Sequence, residues 1–351
     1  MYSYNKGEWA EFYTKLKLLL DGSLPIGDRN LEATNQSIQV LEVLLRNKSG
    51  YCWYRFNRCT ESVHIVSGGN AIRSVELNPS IIEDFFRGIE CGKGSSFNIE
   101  LIEPAISKLM LDGIKTDSGT KADVETQSVF PGESSPRQRG YSIKSRVGAS
   151  NSLLNASQST NFVFKVTGFT GEIDDVNRIS PRSGKIMKRI KHILDSGGNL
   201  SFVGTQNQQF NQNLRKIDSA LPEMLADLLL TYFKTSGDSG LEATIEKTSF
   251  EDRPYDRTLV EHNVKRLAWH SALGLVPREP WEKNTVTGGC VVVDVDGKLL
   301  GYTLYEESDL SEILFRYSKF DTASSSRNKF GMLYEEGGDL YFKLNLLIRI
   351  F

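Results

Sequence analysis

The spacing of hydrophobic positions changes several times along the chain, and each change marks an element. From Lys6 to Leu20, Trp9, Phe12, Tyr13, Leu16, Leu19 and Leu20 recur every three or four residues. They cover one face of a helix, with Asn5 placed to cap it and Gly22 to end it. Ala33–Arg46 reads as a second helix, whereas Tyr51–Phe56 and Ser62–Ser67, rich in aromatic and β-branched residues, predict strands. A helix around Pro104–Leu111 leads into KADVETQ (Lys121–Gln127), then a turn-rich VFPGESSPRQRG, then a strand YSIKSR from Tyr141 to Arg146. Amphipathic helices follow over Ser219–Phe233 and Leu259–Leu273. Cys290–Val295 and Lys298–Tyr305 form a hairpin about Asp296-Gly297, and a last strand runs from Tyr341 to Phe351. No clean linker interrupts this order, so the reading is one mixed α+β (α/β) domain over residues 1–351.

Composition narrows the class. Of 351 residues, 39% are apolar and 25% charged, which is enough to bury a real core. No apolar run approaches the roughly eighteen residues of a membrane span. The start, MYSYNKGEWAEF, lacks a charged segment followed by an apolar one, so no secretory signal is expected. Cys52, Cys59, Cys91 and Cys290 form no Cys-x-x-Cys pair, which points to reduced thiols in a cytoplasmic protein. The four histidines are scattered, and His262-Asn263 and His270 fall on an amphipathic helix, so no zinc site is expected.

A net charge of -2 excludes a uniformly basic protein, but the charge is unevenly spread. From Ser134 to Leu194 there are 11 Lys and Arg against Glu172, Asp174 and Asp175, a net +8, which leaves -10 on the rest. Such a stretch suits a phosphate backbone. It begins beside the two segments with the most chemistry. In an extended strand alternate side chains share a face, so Asp123 pairs with Glu125, and Ser142 with Lys144. Neighbouring strands of this kind present Asp, Glu and Lys together. Carboxylates hold Mg²⁺ against a phosphate, and a lysine orients water or stabilises the developing charge. The plainer alternative is two solvated strand faces joined by an ion pair. The basic flanks favour the chemistry.

Four segments in order along the chain resemble the HpaII family of type II restriction endonucleases. They are Asn5–Leu20 (NKGEWAEFYTKLKLLL), Lys121–Asp123 with Gly140–Gly148 (KAD, GYSIKSRVG), Leu153–Phe164 (LLNASQSTNFVF), and the C-terminal pieces Ala272–Leu275, Thr287–Val292, Ser324–Gly331 and Leu344–Arg349. The resemblance implies a Mg²⁺-dependent nuclease of the P-D…D/E-x-K superfamily that cuts double-stranded DNA at a short palindrome, CCGG for the namesake. It also implies a restriction-endonuclease-like core, a central mixed sheet flanked by helices, with further hairpin and helical elements. On this reading residues 1–170, approximately, form the catalytic core, and 171–351 serve DNA recognition and support.

The site expected from this is Asp123, Ser142 and Lys144. The superfamily carries an acid two residues before the lysine, where this chain has Ser142, so a second carboxylate must come from elsewhere. Glu8 on the first helix and Glu125 beside Asp123 are the candidates. Asn5-x-x-Glu8 also matches a capping box, and Glu11 is the weaker choice because it sits away from the apolar face. For DNA, Asn155 and Asn161 follow the catalytic strand, and Ser325, Arg327 and Asn328 lie in a second polar segment suited to base edges. Arg146, Arg178, Arg182, Lys185, Lys188 and Arg189 suit phosphates. A palindromic target favours a homodimer, and a restriction enzyme implies a cognate DNA methyltransferase as genetic partner. A DNA-binding protein that has lost catalysis, or a nuclease for mismatched or modified DNA, are the alternatives.

Overall fold

A computed structural model describes residues 2–47, 50–67, 69–114, 122–148, 151–235, 237–281 and 286–351. Helix α1 (Lys6–Asp21) begins at a capping box, with the Asn5 side chain on Glu8 N–H and the Glu8 carboxylate on Asn5 N–H, and ends at Gly22 in the left-handed conformation. The strands β1 (Ser23–Gly27), β2 (Ala33–Asn47), β3 (Gly50–Asn57), β4 (Ser62–Ser67) and β5 (Asn70–Glu76) follow. Then come α2 (Ile81–Cys91), α3 (Glu103–Lys108), β6 (Val124–Val129) and β7 (Arg137–Ser145).

Strand β2 corrects the helix expected over Ala33–Arg46. Its buried positions run Ile38 and Val40, then Val43 and Leu45. A register shift between Val40 and Glu42, where β2 pairs with β6, moves the inward parity by one residue. The resulting spacing imitates a helical period. The helix expected from Pro104 ends earlier, at Lys108.

The later chain adds β8 (Ser152–Leu154), β9 (Asn161–Thr167), α4 (Ile173–Arg178), α5 (Lys185–Asp195), β10 (Asn199–Thr205), α6 (Gln208–Ile217), α7 (Leu221–Lys234), α8 (Leu241–Lys247) and α9 (Arg257–Ala272). The hairpin expected about Asp296-Gly297 is β11 (Gly289–Val293) with β12 (Leu299–Tyr302). After α10 (Glu307–Arg316), β13 (Ser318–Phe320), α11 (Ser325–Asn328) and β14 (Leu333–Glu336), the single terminal strand expected is two. They are β15 (Asp339–Asn345) and β16 (Ile348–Ile350), and buried Leu346 and Leu347 carry the chain from one sheet to another.

The mixed α+β class holds, but the main sheet is not an open layer. Its order is β1-β12-β11-β7-β6-β2-β3-β4-β5, and β1 also pairs with β2, so the first six strands close on themselves while β3–β5 extend outward. Parallel pairs (β1–β12, β7–β11) sit among antiparallel ones, so the sheet is mixed. β9, β10, β14 and β15 form a second sheet, and β8, β13 and β16 a third.

Side-chain alternation splits the interior in two. Tyr141, Ile143, Val291 and Val293 join a core with α1 and α2, while Cys290, Val292 and Leu300 join the larger core of α5–α10 and the second sheet. Strand β7 therefore runs between α1 and α9. This seat brings its polar end against the start of α1.

Candidate active site

Asp123 precedes β6 by one residue and is clamped to β7 at both ends. Its N–H donates to Tyr141 O (2.9 Å), and its Oδ2 accepts from Ile143 N–H (2.7 Å). A polar cleft of about 710 Å³ opens there, lined by Glu8 and Glu11 from α1, by Asp123, by Ile143, Lys144 and Ser145 from β7, and by Asn151, Ser152 and Asn155 beyond it. Asp123 and Lys144 thus line one cleft. Lys121 lies outside the described residues.

Besides Glu8, the cleft holds Glu11, the acid that the sequence made the weaker choice. Glu11 is held at about 7, well above the ordinary carboxyl value of 4.5. Burial is the first cause and the charge of Asp123 the second, with Lys15 and Lys144 pulling the other way. The packing of the helix explains why Glu11 is buried. Phe12, Tyr13, Thr14, Lys15, Leu16 and their neighbours are buried on several sides of α1, because it lies between the sheet and α2. The side opposite the apolar stripe faces the cleft rather than bulk water. A stripe of Glu8, Glu11 and Lys15 at three- and four-residue spacing in an otherwise apolar helix was the available signal.

The other candidates are placed differently. Glu8 lines the cleft, but its Oε2 accepts from Asn5 N–H (2.9 Å). Glu125 accepts from Gln138 Nε2 (2.5 Å) and lines a separate cavity of about 290 Å³ that Asp123 also borders. Ser142 is 4% exposed, stands opposite Cys290 in the parallel register, and lines neither space. Burial pushes the Cys290 thiol up to about 12, so it is inert. Among the described residues no group of three or more His, Cys, Asp or Glu is placed to hold a metal.

The DNA candidates divide by burial. Arg146 is engaged inside the protein: it bonds Asp294 Oδ1 (2.6 Å) and Phe351 O (3.2 Å), and lies over the Tyr317 ring. Arg189 is 4% exposed and donates to the carbonyls of Asn177, Ile179 and Gly331. Asn161 is fully buried among Gln206, Asn328 and Asn345, and Asn328 is itself buried. Arg178 is exposed beside Asp174 and Asp175 on α4.

Arg182, Lys188, Arg327 and Asn155 are exposed. A groove of about 580 Å³ brings Arg182 and Lys185 at the start of α5 against Ser324, Ser325 and Ser326, and Lys185 Nζ donates to Ser325 Oγ (2.7 Å). The fold thereby joins a segment expected to grip phosphates to one expected to read base edges. No described helix is long and apolar enough to cross a membrane.

The profile of the HpaII restriction endonuclease family matches residues 5–350. The chain is 31% identical, over 357 aligned positions, to the type II restriction enzyme HpaII of Haemophilus parainfluenzae, covering 99% of this chain and 98% of that one. No solved structure matches it. With nearly every residue inside the family profile and that identity spread over both full lengths, the chain belongs to the HpaII restriction endonuclease family.

Proposed function

We propose that this chain is a Mg²⁺-dependent type II endonuclease that hydrolyses double-stranded DNA at a short palindrome, with Glu11, Asp123 and Lys144 as its catalytic set. The observation that carries this reading is the convergence of α1, the start of β6 and the end of β7 on one polar cleft. We read these three elements as the catalytic part of a restriction-endonuclease-like core.

The residues fit the ion. Mg²⁺ takes hard oxygen ligands and is commonly held by one or two carboxylates, with water and substrate phosphate completing its shell. Burial beside Asp123 makes the Glu11 charge unfavourable, and a cation between the two relieves that. Glu11 and Asp123 would hold the ion, which when bound supplies neutralisation of phosphate charge and a more acidic water.

The chain's own groups do the rest. The Ile143 N–H fixes one Asp123 oxygen, which orients the carboxylate. Lys144 brings an ammonium to the same cleft, where it positions the attacking water and stabilises charge on the phosphate. Glu11 takes over the acid that the Ser142 position lacks. Glu8 serves the helix cap, and Glu125 is held by Gln138.

Arg182, Lys185 and Lys188 are assigned to phosphates, and Ser325 and Arg327, in the adjoining segment, to base edges. CCGG is the first sequence to test, a homodimer matches the two-fold symmetry of such a site, and a cognate methyltransferase would protect host DNA.

Plasmid incubated with the purified protein and Mg²⁺ should give discrete fragments, whose sequenced ends define the site. Asp123→Ala and Lys144→Ala should bind DNA without cutting it. Full cleavage by either variant sinks the assignment. Ser142 favours one other reading, a DNA-binding protein without catalysis, and binding with no fragments is its outcome. Cutting confined to mismatched or methylated plasmid would point to a nuclease for altered DNA.

A further inference from the structure

Asn161 opens β9 and Asn345 closes β15, directly opposite one another in the antiparallel register. Both are buried, at 0% and 1% exposure, where amides are uncommon. Their hydrogen bonds run in series between two loops. Asn345 Nδ2 donates to Ser157 O (2.7 Å) and to Asn161 Oδ1 (2.7 Å), and Asn161 Nδ2 donates to Asn328 O (2.8 Å). A carbonyl oxygen only accepts, so Ser157 O and Asn328 O fix which way each amide faces. At one end of the series, Ser157 lies two residues after Asn155, which lines the cleft with Asp123 and Lys144. At the other end, Asn328 adjoins Arg327 on α11. Among the described residues no donor faces Asn345 Oδ1, and an unpaired buried oxygen costs stability. What the pair supplies in return is a fixed geometry between the loops, which apolar side chains filling the same space would not specify.

We propose that Asn161 and Asn345 are positioning residues that hold the Arg327 turn at a fixed distance from the cleft, so that the base pair Arg327 reads stays in register with the bond that is cut. Both are buried, and they act through Arg327 rather than on DNA. A base contact depends on close alignment of donor and acceptor, so a loosened turn loses discrimination at the base pair that Arg327 reads and keeps it at the others. This rests on the reading of Arg327 as a base contact.

The test uses the full-length protein and the site defined by sequenced fragment ends. It measures kcat/KM on that duplex and on duplexes changed at one base pair in turn. Each ratio is independent of the fraction of active enzyme, and the same ratios read as Kd in Ca²⁺ serve a chain that binds without cutting. Arg327→Ala identifies its base pair as the position where discrimination falls by about tenfold. Asn161→Leu, Asn345→Leu and the smaller change Asn345→Ser should each lose discrimination at that same base pair, about tenfold for the leucines, and less than about twofold elsewhere. Adding Asn345→Leu to Arg327→Ala should cost nothing more there, because the contact is already gone.

An equal loss at every base pair overturns the proposal, since it marks general disorder, and so does a double variant whose losses add. Failure of both Asn345→Leu and Asn345→Ser to fold also overturns it, because the amide is then a requirement of the fold. Arg327→Ala separates the two readings. If it changes discrimination at no base pair, the reading of Arg327 itself is misplaced. If it loses discrimination while the folded asparagine variants keep the parent's, only their positioning role fails.

Discussion

Glu11→Gln should make the metal-free protein more stable at alkaline pH while removing its cleavage activity. The folded protein holds the Glu11 carboxyl at about 7 against an ordinary 4.5, so it binds that proton more tightly than the unfolded chain does. The stabilisation is complete below the unfolded value and is lost as pH rises from about 4.5 through about 7. At 1.36 kcal/mol per pH unit, the displacement is worth about 3 kcal/mol at pH 8. A neutral glutamine escapes that loss. For a chain of this length, unfolding entropy converts about 3 kcal/mol into a Tm gain of roughly 4 °C.

Melts of parent and variant in EDTA at pH 5 and pH 8 measure it. The gap should be only about a quarter as large at pH 5, where the folded parent carboxyl is still protonated, as at pH 8. Plasmid cleavage at saturating Mg²⁺ should fall more than about a hundredfold, since partners behind a metal ligand already cost that much. A Glu11→Gln protein that melts lower than its parent at pH 8, or by the same difference at both pH values, would refute the reasoning. In that case the carboxylate is held by favourable bonds rather than against repulsion.

Other perturbations test the division between buried and exposed basic residues. Arg189→Ala leaves three carbonyls, that of Gly331 buried and those of Asn177 and Ile179 partly buried, without their donor and should cost about 3 kcal/mol in denaturant melts, with no change in salt dependence for the protein that remains folded. Arg182→Ala and Lys188→Ala should do the opposite, each reducing the slope of log binding constant against log salt by about 1 and shifting Tm by about a degree or less. Gly289→Ala is expected to lower stability by more than about 3 kcal/mol, measured as a denaturant midpoint. Gly289 has φ near +111°, and an added Cβ would sit 2.0 Å from Tyr302 O in the hairpin beside β7. An unchanged midpoint would show that the hairpin yields without cost.

Local signals were legible where one element supplies both cause and effect. The Asn5–Glu8 box set the start of α1, the Asp296-Gly297 turn set the β11–β12 hairpin, and YSIKSR lies within the longer β7 apart from its last residue. The helix expected over Ala33–Arg46 failed because a bulge hides a strand's parity, and a bulge exists only against its partner strand. The closing of the sheet was equally hidden, since β1 must find β12 and β7 must find β11 across most of the chain. Among the basic and amide residues, sequence showed which could grip phosphate or bases. It could not show that Arg146, Arg189 and Asn161 spend those same donors on carboxylates, carbonyls and amides of their own protein.

By itself, then, the amino-acid order determined the family resemblance, the charge segregation and the Asp123–Lys144 pair, because these depend on residue type and short spacing. Only the tertiary structure brought Glu11 into one cleft with Asp123 and buried Lys15 on the same helix. The physical reason is solvent. A helix read in isolation has a wet face and a dry face, and Glu11 falls on the wet one. Packed between a sheet and α2, that face becomes the wall of a cleft, where burial first and the charge of Asp123 second raise a carboxyl to about 7.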